Sequence, residues 1–474
     1  MILGPVLAVV AYLLLPADLA HPARVTAGAT VLMAIWWMTE AIPIPATALL
    51  PLIIFPTLIA DVSVNDVGEN YGNSVIFLFL GGFLIALTMQ RWNLHRRIAL
   101  TTISAAGNKS VNIIGGFMIA TAFLSMWVSN TATAIMMLPI GVSVIALLVR
   151  KDSVSENGDP VTDSKFGTAM MLGIAYAASI GSIGTIIATP PNVLLVGYLE
   201  EDFDIVIGFG QWMVAAVPLV IVFLLIAWLL LTRVLFRPEV AEIPGGRAVI
   251  REEKKTLGSM TVAEKRVGLV FLAAIAGWVV LPLVWPDAPL SDAGVAILAA
   301  IALFLIPSGT GGRMLDWATA LKVPWGVLLL FGGGLALSRQ FNSSGLTDWI
   351  ALQARALGTF PVLAIVISVV VVIVVLTEIT SNTATAATFL PVSGGIALGL
   401  GLSPMVLAIP VALAASAAFM LPVATPPNAI AYGSGYVTVA SMIKGGVWLN
   451  IIGVVLITIT TMTLMHWLVI SAFT

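Results

Sequence analysis

The sequence predicts an all-α membrane protein with about eleven transmembrane helices and two re-entrant hairpins, arranged as an inverted repeat. Three observations predict it. First, 59% of the 474 residues are hydrophobic and only 9% charged, with a mean hydropathy of +1.08; a soluble domain carries about 25% charged residues. Second, SNTATAIMMLP at 129–139 returns as SNTATAATFLP at 381–391. Third, each copy is followed by ATPPN, at 188–192 and again at 424–428.

Runs of about 20 apolar residues recur along the chain, as spanning helices require. Alternating strands of about ten residues, the mark of a membrane barrel, are absent from the sequence. The formal net charge is −2 with no dominant basic patch, which argues against nucleic-acid binding. There is no Cys, and His21, His95 and His466 lie far apart without ligand spacing. Disulfides, thiolate metal sites and Cys nucleophiles are therefore excluded. No HExxH is present, and the histidines fall outside the repeated phrases, so the chain reads as a non-enzyme. Residues 1–16 lack a charged leading region and read as a first span rather than a signal peptide.

In chain order the predicted spans are 2–16, 25–39, 43–60, 73–90, 166–199, 205–236, 266–286, 291–307, 323–340, 404–435 and 445–470. The hairpins are 111–149 and 361–400, each an apolar arm, the SNT phrase and a second apolar arm. Charge sets orientation. Arg91, Arg96, Arg97 and Lys109 precede the first hairpin, and Arg150, Lys151 and Lys165 follow it. A segment flanked on both sides by cytoplasmic charge enters and leaves by one face. The connection 233–266 carries Arg233, Arg237, Arg247, Arg251, Lys254, Lys255, Lys265 and Arg266 and reads as a cytoplasmic linker between the halves. Connections 61–72 and 200–204 hold acids without Lys or Arg and read as external. The N-terminus then lies in the cytoplasm and the C-terminus outside, in a plasma or cell inner membrane. FLGGFLIAL at 79–87 and LFGGGLALS at 330–338 extend the internal match. An odd number of crossings separates the copies, which makes them inverted repeats, a build common in secondary transporters that bind cargo at the repeat interface.

The phrases suit ion chemistry at a hairpin tip. A tip ends one helix and starts another, leaving backbone groups without partners; in hydrocarbon each costs several kcal/mol unless satisfied. Ser, Asn and Thr cap and turn well. The second arm aims N–H groups and a positive dipole at the tip, which suits an anion. First-arm carbonyls and the Asn oxygen suit a hard cation such as Na+. Pro190-Pro191 and Pro426-Pro427 break their helices, freeing the carbonyls of Ala188 and Ala424 beside the hydroxyls of Thr189 and Thr425. With no Lys or Arg in these phrases, an anion depends on bound cations, so the two bind together. The glycines at 81–82 and 332–334 read as close helix packing. Trp36 and Trp37 read as interface anchors. Glu40, beside Pro43 and Pro45, reads as structural. Glu378, three residues before Ser381, admits either an ion role or a structural hydrogen-bonding role.

The two SNT hairpins, the paired TPPN phrases, WWMTEAIPIPATALLP at 36–51 and VPWGVLLLFGGG at 323–334 resemble the divalent anion:sodium symporter family, the INDY-type dicarboxylate transporters, over essentially the whole chain. The resemblance implies a homodimer that carries succinate, malate, fumarate or related divalent anions, usually with Na+, by an elevator movement; some members are sodium-independent exchangers. An anion channel is a further, less favoured class, because channels need a continuous pore. By motif, one ion site is implied at Ser125, Ser129, Asn130 and Ala188, and a second at Thr377, Ser381, Asn382 and Ala424. Substrate carboxylates are implied to meet Ser129, Asn130, Thr131 and Thr189 from one half, and Asn382, Thr383, Thr425 and Pro426 from the other. Residues 1–110 and 266–360 would be scaffold. Residues 111–199 and 361–435 would be the transport domain. Helix 6 with the linker (200–265) and helix 11 (436–474) complete the chain.

Overall fold

The structure, a computed structural model, describes residues 1–152, 164–243, 246–285 and 288–466. The middle of the predicted 150–165 connection, part of the linker, the last residue of the seventh predicted span and the C-terminal end of the last one lie outside the described residues.

Every described element is helical apart from two isolated bridges. The first half runs α1 (Leu3–Leu14), α2 (His21–Thr39), α3 (Ile44–Thr47), α4 (Pro51–Leu58), α5 (Val64–Gly68), α6 (Ser74–Arg91), α7 (Leu94–Ser104), α8 (Ser110–Ser125), α9 (Asn130–Asp152), α10 (Lys165–Ser182), α11 (Pro190–Phe203) and α12 (Phe209–Leu229). The linker holds α13 (Gly246–Thr256). The second half runs α14 (Val262–Val284), α15 (Asp292–Leu305), α16 (Trp317–Ala320), α17 (Trp325–Ser343), α18 (Leu346–Ala354), α19 (Val362–Thr377), α20 (Asn382–Gly399), α21 (Met405–Ala415), α22 (Pro426–Gly433) and α23 (Val439–Thr460).

Each predicted span has a helical counterpart, but among the described residues only five helices are both long and apolar enough to cross a membrane unaided. The others are short, carry polar residues, or break midway. Segment 166–199 is two helices, α10 and α11, and 404–435 is α21 and α22. The Pro-Pro pairs stand at the first two positions of α11 and α22, where a missing N–H is harmless, so they start helices rather than kink them.

The two halves pack alike. The hairpin α8–α9 encloses α10, and the hairpin α19–α20 encloses α21. The halves then interlock, with α10 and α9 on α22 and α11 on α20 and α21. In lipid, helices gain little from burying apolar surface, so close backbone approach matters more. Gly181 lies so near α8 that a Cβ there would sit 2.3 Å from Ala122 O. Gly333 similarly abuts Ala48, with 2.2 Å from an added Cβ to Ala48 O, in keeping with the packing role expected of 332–334.

The connection 91–109 is not a loop. It contains α7, which buries Leu94, Ala99, Leu100 and Ile103 on one face. Its charged face made it look like a simple solvated connection. Arg97 forms a two-pronged bond to Glu264 of α14 (Nε to Oε1 2.7 Å, Nη2 to Oε2 3.1 Å). Arg96 pairs with Glu253 of α13. The second half has its own helix at this point, α18, which continues through a short 3-10 turn to Thr359 and meets α19 at a bend of 119°.

Candidate functional site

The two SNT tips and the two helix breaks face one cavity of about 970 Å³. Ser129, Asn130, Thr131, Ala188 and Thr189 line it from the first half; Ser381, Asn382, Thr383, Ala424, Thr425 and Pro426 line it from the second. The ion and anion sets together name thirteen positions, and all but Ser125 and Thr377 meet at this wall. Those two are fully buried and stand behind the tips.

Each tip is built the same way. α8 stops at Ser125 and α9 starts at Asn130; α19 stops at Thr377 and α20 starts at Asn382. Ser129 accepts from Ala132 N at 3.3 Å, which caps α9. The Ser125 hydroxyl donates to Ala178 O at 2.6 Å, on α10. Its counterpart Thr377 Oγ1 lies 2.8 Å from Ala415 O, on α21, and 2.8 Å from Asn382 Oδ1. A hydroxyl has one proton, so it serves only one of these two acceptors at a time. Three oxygens gathered without enough protons form the kind of donor set a hard cation takes.

The breaks opposite are held by the last residue of ATPPN, to which the sequence reading gave no role. Asn192 Nδ2 donates to Thr185 O at 2.9 Å and Ile183 O at 3.3 Å. Asn428 Nδ2 donates to Leu421 O at 3.1 Å and Ala418 O at 3.3 Å. Both asparagines are fully buried. They satisfy carbonyls that the break frees, and the repeat of the phrase was the signal that could have found them. Thr189 and Thr425 sit in extended conformation just before α11 and α22. Thr185 Oγ1 donates to Met126 O at 2.5 Å and ties the first break to the first tip.

The second break is tied differently. Glu378, directly after Thr377, is 4% exposed. Its carboxylate accepts from the N–H groups of Phe419 (2.7 Å), Met420 (2.9 and 3.1 Å) and Leu421 (3.1 Å), and from Asn450 Nδ2 (2.7 Å). The structural reading of Glu378 therefore holds: it does not line the cavity but anchors the segment between α21 and α22.

Two other expectations are overturned. Trp37 is not an interface anchor. It is 1% exposed, donates Nε1 to Ile44 O at 3.2 Å and lines the cavity. Trp36 donates to Met1 O and so braces α2 against the start of the chain. Glu40 is not a packed structural acid: it too lines the cavity, exposed. Phe79, Phe83, Ile379, Pro422 and Val423 complete much of the apolar wall, with Thr380 beside them. Nothing in their composition separated them from other core residues.

Electrostatics favour an anion without basic side chains. Among the described residues, no Lys, Arg or His lines the cavity. Four helices begin at it instead, at Asn130, Pro190, Asn382 and Pro426. Each helix start carries roughly half a positive charge on its free N–H groups.

A cavity with polar helix tips set in an apolar wall, between two interlocked, twofold-repeated bundles of apolar helices, defines a secondary transporter of the membrane rather than an enzyme. The chain belongs to the sodium:sulfate symporter transmembrane-region family, whose model matches residues 1–471. Relatives include the sodium-dependent dicarboxylate transporter SdcS of Staphylococcus saprophyticus, 41% identical over 468 residues, covering 96% of this chain and 89% of that protein. The same-named protein of Staphylococcus aureus is 42% identical over 465 residues, with the same coverage. The fold is shared with the YdaH transporter of Alcanivorax borkumensis (TM-score 0.56, 16% identity, 93% of this chain and 97% of that one). It is also shared with MtrF of Neisseria gonorrhoeae (TM-score 0.55, 14% identity, 95% and 96%).

Proposed function

We propose that the protein is a sodium-coupled carrier of C4-dicarboxylates such as succinate, malate or fumarate, and that the cavity between the two tips is its binding site. The observation that carries this reading is the meeting of both SNT tips and both ATPPN breaks at one wall. The identity with the dicarboxylate transporters of Staphylococcus supports the cargo and the coupling ion. In this reading Na+ binds between each tip and the facing break. Ser125, Ser129, Asn130 and the carbonyl of Ala188 take one ion. Thr377, Ser381, Asn382 and the carbonyl of Ala424 take the other. The carboxylates of the cargo meet Ser129, Asn130, Thr131 and Thr189 at one end and Asn382, Thr383, Thr425 and Pro426 at the other. Neutralising two charges with two cations lowers the cost of carrying a dianion past hydrocarbon.

The movement is an elevator. Helices α8–α11 and α19–α22 interlock across the repeats, which supports one moving body. The helices of 1–110 and 266–360 form the scaffold, and two copies associate through it. The N-terminus faces the cytoplasm and the C-terminus the outside. The deciding experiment is uptake of labelled succinate by reconstituted vesicles under an inward Na+ gradient. Uptake should stop when choline replaces Na+; uptake unchanged by that exchange would overturn the coupling.

A further inference from the structure

Among the described residues, Glu40 is the only charged one that lines the cavity. It closes α2 in the left-handed conformation (φ 46°, ψ 39°), which a glutamate rarely adopts. Its side chain is exposed and, among the described residues, makes neither an ion pair nor a hydrogen bond. Glu378, by contrast, has four donors and is buried away from the cavity.

A free carboxylate at the wall of a site for a dianion opposes its cargo. In a cleft with low-dielectric walls such a charge is focused, so it raises the local concentration of cations and lowers that of anions. The helix starts at the tips lie on α9, α11, α20 and α22, whereas Glu40 follows α2. Attraction and repulsion therefore come from different parts of the fold.

We infer that Glu40 is an electrostatic filter that makes the cavity cation-first: it draws Na+ in and disfavours the dicarboxylate until Na+ is bound. This inference rests on the cavity being the binding site. Among the described residues Glu40 makes no hydrogen bond to the ion or anion set, and in this reading it acts through its charge. Removing the charge should weaken apparent Na+ affinity and strengthen apparent dicarboxylate affinity. A side chain that merely filled space would leave both constants where they are.

The test compares Glu40→Asn with Glu40→Asp in reconstituted vesicles. Both replacements tolerate left-handed backbone and have nearly the same size, so they differ in charge alone. Succinate uptake is measured with Na+ and choline exchanged at constant ionic strength, at about 0.03 M and again at about 0.3 M salt. At low salt, Glu40→Asn should raise the Na+ half-saturation about threefold over Glu40→Asp and lower that of succinate by a similar factor. Both differences should shrink toward one at high salt, where charges are screened. Equal constants for the pair at low salt overturn the filter. So does a difference that persists at high salt, which would mean direct contact rather than a field. Loss of folding in both variants would assign Glu40 a structural role and also overturn it. Asn382→Ala, run in parallel, separates the two readings: full uptake by that variant removes the site itself, whatever Glu40 does.

Discussion

Asn450 of α23 donates its side-chain amide to Glu378 Oε1 at 2.7 Å, and the same carboxylate takes the backbone N–H groups of Phe419, Met420 and Leu421. One buried charge therefore joins the second tip, the second helix break and the last helix. Glu378→Gln keeps the size but turns an acceptor into a donor facing other donors. Loss of charge-assisted bonds in a buried site should cost about 2–4 kcal/mol, and Asn450→Ala about 1–3 kcal/mol. Thermal unfolding of the purified protein checks this; a native midpoint for Glu378→Gln would refute the anchor.

Asn130→Ala and Asn382→Ala remove the amide from the start of α9 and of α20. Uptake of succinate should fall to background in both variants while the unfolding midpoint stays within a few degrees of the native one. Full transport by either would displace the site from that tip.

Thr377→Val keeps the shape of the side chain and removes the oxygen that stands 2.8 Å from both Asn382 Oδ1 and Ala415 O. The half-saturating Na+ concentration should rise about tenfold or more, since one buried polar partner is worth about 1–3 kcal/mol. Sodium titration of uptake at saturating succinate is the measurement. An unchanged half-saturation would take Thr377 out of the ion set.

Gly333→Ala should lower stability by about 2–3 kcal/mol, because its Cβ would sit 2.2 Å from Ala48 O with only backbone to yield. Gly208→Ala is the matched control: no atom lies within 4 Å of its added Cβ. Equal midpoints for the two variants would show that the α17 contact is looser than it stands here.

Asp202, in the last turn of α11, accepts from Ser338 Oγ of α17 at 2.5 Å. Burial pushes its carboxyl up to about 6, with Glu201 adding repulsion, against opposing bonds from Ser338 and Asn342. A folded-state value above the ordinary 3.8 means the fold favours the protonated acid. That contribution is fully present below about pH 3.8 and is lost as pH rises through about 6. Asp202→Asn should match the native midpoint near pH 4 and exceed it above pH 7, by up to about 3 kcal/mol. A gap that is constant from pH 4 to 8 would refute the shift.

The repeated phrases carried most of the site, because polar residues in hydrocarbon need a reason to be there and two matching copies supply one. Hydropathy located all eleven segments, and the Pro-Pro pairs marked the interruptions of the fifth and tenth, which separate α10 from α11 and α21 from α22. Hydropathy alone runs through 183–189, since Ile183, Ile186 and Ile187 are as hydrophobic as the helices around them and outweigh Thr185 and Thr189. α7 was hidden for the opposite reason, its arginines outweighing a short buried stripe. Glu40 and Trp37 were misplaced because both sit at the end of α2, and a helix end looks the same from sequence whether it meets lipid headgroups or a cavity. The function of Glu378 lay in backbone donors 41 to 43 residues away, which no local pattern reports.

Four helices start at the cavity, and their attraction for an anion comes from peptide groups alone. Peptide groups have no proton to gain or lose between pH 4 and 9. The pull of these helix starts is therefore fixed hardware, and acidity changes it only by changing the cargo. A dicarboxylate that picks up a proton arrives as a different ligand at the same four helix starts, so its own ionisation curve should leave a mark on the acid limb of transport.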